Sequence, residues 1–329
     1  MKNNNKINIG IIGVGYLGNY HVQQLKGISN ANVIGVYDTD NDRAKAIANQ
    51  YSVNTFDSLN ELFSQCDAVS IASPTSYHHN IAMEALEHGC HLFIEKPITQ
   101  TVEEAQALLV KAEQIQRLIQ VGHIEEFNPA YLALDKSDLN PMFIETHRLS
   151  PFNPRGTDVP VILDLMIHDI GIMLSLVKSE VKNISASGVC VVSSTVDIAN
   201  ARIEFQNGCV ANLTASRISQ KKMRKLRLFQ ENEYTTVDFL VGSVEKYKLE
   251  DSTIHPSKDV KIFPLEGNDK KVVTYQKPDI QKGNALRLEL EHFVKSIQNM
   301  ETPTVDGRSA MRALKIAIDI QHIIDGNHA

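Results

Sequence analysis

Residues 7–18 read INIGIIGVGYLG, an apolar run that ends in a Gly-x-Gly-x-x-Gly pattern at Gly13, Gly15 and Gly18. The run has the length and composition of a buried β-strand, and the next residues, Leu17–Leu25, repeat apolar side chains at a helical period. Glycines at such a junction allow a tight turn, a close approach of the backbone to a ligand and close packing of helix on strand. The stretch therefore predicts a strand–turn–helix unit at the start of a parallel α/β sheet.

The alternation of apolar runs and helical periods continues to about residue 122. Strands are predicted at Ile7–Gly13, Val33–Tyr37, Ala68–Ala72, His91–Ile94 and Ile119–Gly122. Helices are predicted between them at Leu17–Leu25, Arg43–Tyr51, Ser76–Glu87 and Val102–Arg117. Because these strands are apolar on both faces, we expect helices to cover both sides of the sheet. Residues 1–122 are therefore predicted to form a doubly wound, Rossmann-type domain.

A different pattern begins after about Asn128. One helix is predicted at Val161–Leu176, and strands are then predicted at Ile184–Val192, Ile198–Phe205, Val210–Ser216, Leu226–Glu231 and Thr235–Leu240. No crossover helix is predicted between these strands, so we expect residues 123–329 to form an α+β domain with a large, mostly antiparallel open sheet. Two final helices, Leu286–Gln298 and Ser309–Ile324, are expected to pack back on one of the domains.

Composition and charge limit the classes of function. The chain has 329 residues, 43% of them hydrophobic, which is enough for two domains with buried cores. Its net charge of −6 argues against nucleic acid or an anionic membrane as the main partner, because both require a strong positive field. The four cysteines lack the paired short spacing of a zinc or redox site. The N-terminal apolar run is too short to span a membrane and lacks a leader cleavage site, so we expect a cytoplasmic protein.

Asp38 ends the second predicted strand, 20 residues after Gly18. A carboxylate at this place accepts hydrogen bonds from both ribose hydroxyls and repels a 2′-phosphate, which favours NAD over NADP as the cofactor. Arg43 weakens that preference, because a guanidinium attracts a phosphate. The residues expected to bind the cofactor are Gly13, Gly15, Tyr16, Leu17, Gly18, Asp38, Ser73, Pro74, Thr75, His78, Glu95 and Lys96.

Two further motifs carry chemically active side chains. Glu95-Lys96-Pro97 follows a predicted strand directly, and the helix predicted at Val161–Leu176 contains Asp164 and His168. Together with the glycine motif, they resemble the Gfo/Idh/MocA family of oxidoreductases along the whole chain. The resemblance implies that Lys96 and His168 lie beside the nicotinamide and the reacting carbinol, and that Asp164 contacts the substrate or the histidine.

The residue types also suit the oxidation of an alcohol. Such a reaction needs a group that removes the hydroxyl proton, and a positively charged nicotinamide favours the neutral form of a nearby lysine such as Lys96. Asp164 and His168 are four residues apart and share one face of a helix, so both can point into one cleft. In isolation, the same residues also fit a solvated lysine and a histidine paired with a neighbouring carboxylate.

A metal site is the alternative use of an Asp–His pair on one helix face. A zinc ion would need a third ligand, and none appears in a matching context, although His78, His79 and His123 are other possible ligands. Hydride transfer needs no metal when a lysine serves as the base. We therefore expect no metal.

The segment from Arg148 to Asp169 resembles family members that oxidise C3 of a nucleotide sugar. This resemblance implies NAD-dependent oxidation of UDP-N-acetylglucosamine to the 3-keto sugar, an amino-sugar and lipid A precursor step whose product a partner aminotransferase would use. Arg148 and Arg155 are expected to bind the diphosphate of the substrate, because guanidinium groups match phosphate geometry.

Several alternatives stay open on the sequence. The enzyme could oxidise a free sugar or an inositol-type polyol, or the chain could be a non-catalytic regulator that binds a dinucleotide. The basic run from Arg217 to Arg227 fits a solvated hairpin, a diphosphate contact or, against the net charge, a nucleic-acid stripe. An open sheet face without helices predicts a homodimer or homotetramer, since relatives pair through that face.

Overall fold

The computed structural model describes residues 6–153, 159–254 and 259–326. They form two compact units. The first comprises the residues up to Phe127 together with Asn284–Lys315, and the second comprises Asn128–Gly283 and the residues from Ile316 onward. The predicted domain boundary between residues 1–122 and 123–329 stays a prediction. No helix among the described residues is both long enough and apolar enough to cross a membrane.

The two units contain fifteen strands and nine α-helices in the described parts of the chain. The strands are β1 Ile7–Ile12, β2 Ala31–Tyr37, β3 Asn54–Thr55, β4 Ala68–Ile71, β5 His91–Glu95, β6 Ile119–Gly122, β7 Phe143–Leu149, β8 Val181–Val189, β9 Ile198–Phe205, β10 Val210–Ser216, β11 Met223–Gln230, β12 Glu233–Asp238, β13 Ser243–Asp251, β14 Val260–Pro264 and β15 Lys271–Gln276. The helices are α1 Tyr16–Lys26, α2 Asn41–Tyr51, α3 Leu59–Phe63, α4 His78–Glu87, α5 Val102–Gln114, α6 Pro129–Leu132, α7 Ile167–Leu176, α8 Ala285–Asn299 and α9 Gly307–Gly326.

The first unit is built on a six-stranded parallel sheet. Its strand order is β3-β2-β1-β4-β5-β6, so the direction of winding reverses between β1 and β4. The predicted doubly wound sheet is thereby confirmed. Ligands of such sheets bind outside the carboxyl ends of the strands, at the point of reversal.

Helix α8 belongs to the core of this first unit, as expected for one of the final helices. Its buried Leu290 and Phe293 join a cluster with Ile9 and Phe93 of the sheet and Leu25 of α1. The rings of Phe93 and Phe293 meet edge to face, with centroids 5.7 Å apart. A helix that begins about 190 residues after the end of β5 therefore completes the layer that covers β1 and β5.

The second unit is built on a nine-stranded sheet of order β14-β15-β13-β12-β11-β7-β10-β9-β8. All its neighbouring strands are antiparallel except β7 and β10, which run parallel. The predicted open sheet is confirmed, but the sequence reasoning missed β7, β13, β14 and β15. These strands carry charged or polar side chains at many positions, as in Phe143–Leu149 (FIETHRL), because much of one sheet face is not packed against a helix.

A buried ion pair links β7 to α7 within the second unit. Arg148 is 3% exposed, and its Nε and Nη2 donate to Asp169 Oδ2 and Oδ1 at 3.0 and 2.8 Å. This two-pronged geometry is the strongest that a guanidinium and a carboxylate can form. The pair argues against the predicted contact between Arg148 and a diphosphate, because that contact would require a guanidinium that solvent can reach.

Substitution of Arg148 should therefore lower stability whatever the substrate. We expect Arg148→Met to cost about 3–5 kcal/mol of unfolding free energy, because it leaves the Asp169 carboxylate buried without its cation. The double variant Arg148→Met/Asp169→Leu should lose clearly less unfolding free energy, because it leaves no unpaired buried charge. Urea unfolding of the three proteins measures both values. A loss below about 1 kcal/mol in the single variant would show that the pair does not hold β7 on α7.

Candidate active site

The carboxyl edge of the first sheet brings together most of the predicted cofactor residues. Neighbouring strands end here in polar or catalytically useful residues: Gly13 after β1, Asp38 after β2, Ser73 after β4, Glu95 and Lys96 at the end of β5, and His123 after β6. Because the strands are parallel, these residues share one edge of the sheet. A cofactor and a catalytic base can therefore lie close together at this edge of the sheet.

The glycine turn after β1 is shaped for close backbone contacts. Gly13 has a φ of +79°, and a Cβ on it would lie 2.8 Å from the backbone nitrogen of Ser73. A Cβ on Gly18 would overlap the carbonyl oxygen of Gly13. At Gly15, by contrast, a Cβ would meet nothing within 4 Å among the described residues. Gly13 and Gly18 are therefore required by the packing of the turn, whereas Gly15 leaves an open space beside the backbone.

Helix α1 begins beside this open space. Gly15 is its N-cap, no side chain of the described residues caps it, and the first turn has no acidic residue. The first N–H groups of a helix and its dipole both attract an anion, which suits the pyrophosphate of a dinucleotide. Tyr16 and Leu17, in the first turn, are exposed. The glycine turn and α1 thus fit a dinucleotide cofactor.

Asp38 is fixed at the end of β2. Its Oδ2 accepts a hydrogen bond from Val14 N and its Oδ1 accepts one from Asp40 N, both at 2.9 Å. Arg43 Nη1 lies 3.4 Å from Oδ2, so a cation stands beside the carboxylate. A carboxylate oxygen accepts more than one hydrogen bond, which leaves capacity for a ribose hydroxyl. The side chain therefore joins the glycine turn to β2 and presents a negative charge there.

Glu95 connects three elements beneath Lys96. Its Oε1 lies 2.9 Å from His21 Nε2 of α1, and His21 Nδ1 lies 2.7 Å from Ser70 Oγ of β4. Its Oε2 accepts a hydrogen bond from the backbone N–H of Lys96 at 3.2 Å. A Cβ on Gly122 would come within 3.0 Å of the Glu95 carboxyl group. The carboxylate is thus tightly enclosed and orients the backbone that carries Lys96.

The electrostatics favour an ionised Glu95. Burial raises the pKa of this carboxyl, but the hydrogen bond from His21 and the positive charges of His21 and Lys96 outweigh burial and lower it overall. The sequence analysis did not identify this link between His21 and Glu95. A polar residue on the buried face of α1, beside Val22 and Leu25, was the available signal.

His78 holds two of the sheet-edge loops together. It is buried, with Nε2 2.8 Å from the carbonyl oxygen of Ser73 and Nδ1 2.9 Å from that of Pro97. Burial lowers the pKa of His78, and the two carbonyl contacts act in the opposite direction. The ring therefore spans the loops after β4 and β5. Its contacts support positioning of the Lys96 loop rather than a hydrogen bond to the cofactor.

His123 is a second buried imidazole near Lys96. Burial and the positive charge of Lys96 lower its pKa to about 4, against a smaller opposite effect of Glu95. The ring is therefore neutral at neutral pH. Within residues 6–153, 159–254 and 259–326, no three or more His, Cys, Asp or Glu side chains form a group that could hold a metal ion.

The other predicted catalytic residues lie in the second unit. Asp164 is in a π-helical turn, Ile162–Met166, and His168 follows in α7. Both side chains are half-buried. The sequence predicted one regular helix here, whereas the structure widens its first turn. Such turns are frequently found at functional sites. Arg155 lies outside the described residues.

Three residues of the basic run make structural contacts. Arg217 is buried, donates to the carbonyl oxygens of Val159 and Val196, and lies 3.7 Å from Asp197. On β11, Lys225 and Arg227 pair with carboxylates of the neighbouring strands β12 and β7. These pairs favour a charged sheet surface over a nucleic-acid stripe.

Comparison with known proteins extends over both units. Residues 7–123 match the oxidoreductase family with an NAD-binding Rossmann fold, and residues 114–234 match the GFO/IDH/MocA C-terminal domain. UDP-N-acetylglucosamine 3-dehydrogenase of Acidithiobacillus ferrooxidans is 35% identical over 317 residues, which cover 96% of each chain. The scyllo-inositol 2-dehydrogenase (NAD(+)) of Bacillus subtilis is 26% identical over 336 residues, which cover 95% of this chain and 92% of that enzyme.

Solved structures agree with these matches. UDP-N-acetylglucosamine 3-dehydrogenase GnnA from Acidithiobacillus ferrooxidans superposes with a TM-score of 0.88, at 34% identity and 98% coverage of both chains. An NAD-binding protein from Listeria innocua, at 23% identity, shares the fold with a TM-score of 0.80 over 98% of this chain and 96% of that one. With both parts of the chain matched, this protein belongs to the Gfo/Idh/MocA family of oxidoreductases.

Proposed function

We propose that the protein oxidises the C3 hydroxyl of UDP-N-acetylglucosamine to a ketone, with NAD as the oxidant. The observation that carries this proposal is the 35% identity to UDP-N-acetylglucosamine 3-dehydrogenase over 96% of both chains. Supporting it, the first unit has the glycine turn, the carboxylate at Asp38 and the oriented Lys96 that such a reaction needs. The 3-keto product is a substrate for an aminotransferase, which we propose as the next enzyme.

In the proposed mechanism, Lys96 acts as the base. Its neutral amine takes the proton of the C3 hydroxyl as the carbon–oxygen bond becomes a carbonyl, and it is left as an ammonium. Gly13, Gly15 and Asp38 would hold NAD, and the cofactor would supply the acceptor for the C3 hydride. Glu95 contributes by holding the backbone N–H of Lys96. We assign the binding of the sugar to Asp164 and His168, and the binding of the diphosphate to Arg155.

A polyol such as an inositol is the second candidate substrate. It is favoured by the 26% identity to scyllo-inositol 2-dehydrogenase over 95% of this chain. The same base and cofactor would serve both reactions, because each oxidises a secondary ring alcohol. The two candidates differ in whether the substrate carries a diphosphate.

A turnover assay separates the candidates. We expect NAD reduction with UDP-N-acetylglucosamine and a much lower kcat/KM with free N-acetylglucosamine or myo-inositol. Lys96→Ala should abolish turnover and leave the NAD dissociation constant within a few-fold, because the amine acts on the alcohol rather than on the pyrophosphate. Faster oxidation of myo-inositol than of UDP-N-acetylglucosamine would show that the substrate is a polyol and not the nucleotide sugar. Near-normal turnover of Lys96→Ala at neutral pH would exclude this lysine as the base.

Asp38 leads us to propose NAD rather than NADP as the cofactor. NAD should therefore raise the melting temperature more than the same concentration of NADP does, since the carboxylate repels a 2′-phosphate. Asp38→Ala should bind NAD more weakly and narrow the difference between the two cofactors. Arg43→Ala removes the neighbouring cation, so it should increase the difference in binding between NAD and NADP. A larger shift with NADP in the unmodified protein would refute the role given to Asp38.

One face of the second sheet supports the proposal of a homo-oligomer. Six aromatic rings form a row across it, one on each of the strands β7, β11, β12, β13, β15 and β14, with successive centroids 4.7 to 6.5 Å apart: Phe143, Phe229, Tyr234, Tyr247, Tyr275 and Phe263. On the same strands, the alternate residues Leu226, Leu228, Val237 and Val244 are buried. The aromatic row is only partly covered, and it offers the apolar area that a second copy would bury.

Light scattering tests this association. We expect a dimer or tetramer at micromolar concentration, and we expect Tyr234→Lys together with Tyr247→Lys to shift the protein toward the monomer, since charges are costly inside an apolar contact. Lys182→Glu, an exposed change on β8 away from the aromatic row, is the control. A stable monomer of the unmodified protein would contradict the proposal.

A further inference from the structure

Arg217 is a buried member of the basic run that the proposed mechanism does not use. It follows β10 directly and is 5% exposed. Its Nη2 donates to the carbonyl oxygens of Val159 and Val196, the latter at 3.2 Å. Burial of a guanidinium is unfavourable unless polar groups replace the lost water, so these acceptors fix the guanidinium and are themselves held by it.

Asp197 keeps the guanidinium of Arg217 in place. Its Oδ1 lies 3.7 Å from Arg217 Nε, and its carbonyl oxygen accepts a hydrogen bond from the backbone N–H of Arg217 at 2.9 Å. Asp197 is 0% exposed, and its Oδ2 accepts from the N–H groups of Val191, Val192 and Ser193 at 2.7 to 2.9 Å. The backbone of its own loop therefore fixes the carboxylate, which places a buried negative charge beside Arg217.

Arg217 and Val196 together hold the chain just before the helical segment that carries the proposed sugar-binding residues. The carbonyl oxygen of Val196 accepts a hydrogen bond from the backbone N–H of Val161 at 3.0 Å, in addition to the one from Arg217. Val159 is thus held by the guanidinium, and Val161 is held by a carbonyl group that the guanidinium binds. Pro160 lies between these two residues, so its position depends on Arg217.

Pro160 connects this constraint to Asp164. Its carbonyl oxygen accepts a hydrogen bond from the backbone N–H of Asp164 at 3.0 Å. Asp164 lies in the π-helical turn Ile162–Met166. Such turns are rare, so surrounding contacts are needed to keep one in place of a regular helical turn. The hydrogen bonds from Arg217 supply such contacts where the turn begins.

A second buried arginine holds the other end of the segment. His168 is followed by Asp169, whose carboxylate accepts the two hydrogen bonds from Arg148. Asp164 and His168 therefore lie between two points that buried guanidinium groups fix. Residues that bind a substrate do so precisely only when their neighbours hold them in place, and this arrangement supplies that support.

We propose that Arg217, kept in place by Asp197, is a positioning residue that sets the place of Asp164 through Pro160. The proposal rests on the proposed function, in which Asp164 and His168 bind the sugar. It differs from a direct contact between Arg217 and the diphosphate of the substrate, which the sequence left open. The guanidinium is buried and is committed to a carboxylate and to backbone carbonyl groups, which leaves the positioning role.

Hydrogen exchange tests whether Arg217 holds the segment, without any assay of activity. Arg217→Lys keeps a positive charge beside Asp197 but lacks the planar set of donors of a guanidinium. The backbone amides of residues 161–168 should therefore exchange about tenfold faster in this variant. The matched control is Arg227→Lys, the same change at a residue of the basic run that pairs with Glu145 at 2.9 Å, and it should leave this segment unchanged. Equal exchange in Arg217→Lys and the wild type would overturn the proposal.

Substrate binding tests whether this support matters for the proposed reaction. Calorimetry on the NADH-loaded protein gives the dissociation constant of UDP-N-acetylglucosamine without turnover, because NADH cannot accept a hydride. Arg217→Lys should raise this constant about tenfold and leave that of NADH within about twofold, because the glycine turn and Asp38 lie in the first unit. A merely structural role would lower the melting temperature and leave both constants unchanged in the folded protein, and that result would refute positioning.

A double-mutant cycle with Asp164→Asn tests whether Arg217 acts through Asp164. In the Asp164→Asn background, Arg217→Lys should raise the dissociation constant of UDP-N-acetylglucosamine by less than about threefold, because the interaction that it positions is already lost. A full tenfold rise in that background would mean that Arg217 contacts the substrate itself, and the proposal would be wrong.

A second variant covers a failure of Arg217→Lys to fold. Arg217→Gln keeps a donor for one carbonyl oxygen, so it should show the same changes in exchange and in binding. If neither variant folds, Arg217 is required for folding rather than for position, and the proposal is wrong. Failure of the proposed function is seen separately, because the unmodified protein then oxidises no UDP-N-acetylglucosamine, and the cycle is measured with the polyol that it oxidises.

Discussion

The hydrogen-bonded carboxylate of Glu95 is the interaction on which the chemistry of the first unit depends. It joins His21 of α1 to the backbone of Lys96, and through His21 it reaches Ser70 of β4. Because α1 begins at the glycine turn, the element that suits a pyrophosphate and the residue proposed as the base are held by one side chain. The absence of a side chain on Gly122 makes room for that carboxyl group.

The glycine turn, Asp38 and the doubly wound class of the first sheet could be predicted, because the glycine spacing, the strand ends and the alternation of strands and helices are all visible in local sequence. Apolar runs and glycine spacing predicted β1 and α1 to within a few residues, and Asp38 lies where the pattern placed it. The π-helical turn around Asp164 could not be predicted, since an i, i+4 pattern looks the same in a regular helix. Strands such as β13 were missed because their exposed positions carry Glu and Lys in place of an apolar alternation.

Long-range partners explain the remaining differences. Arg148 was predicted to bind the diphosphate of the substrate, but its guanidinium pairs with Asp169, which is 21 residues away on α7 and was not identified as a partner from the sequence. Glu289 was not singled out from the sequence, although its side chain is buried on the face of α8 that carries Leu290 and Phe293. In both cases, tertiary packing decides what the side chain does, and neither composition nor periodicity records that packing.

Transfer of the C3 hydrogen tests the central claim most directly. UDP-N-acetylglucosamine that carries deuterium at C3 should be mixed with the protein and NAD, and the reduced cofactor should be examined by mass spectrometry. The account predicts NADH that contains one deuterium and a 3-keto sugar that has lost it, with slower turnover than the unlabelled substrate. NADH without deuterium, or no reduction of NAD while a free polyol is oxidised, would contradict it.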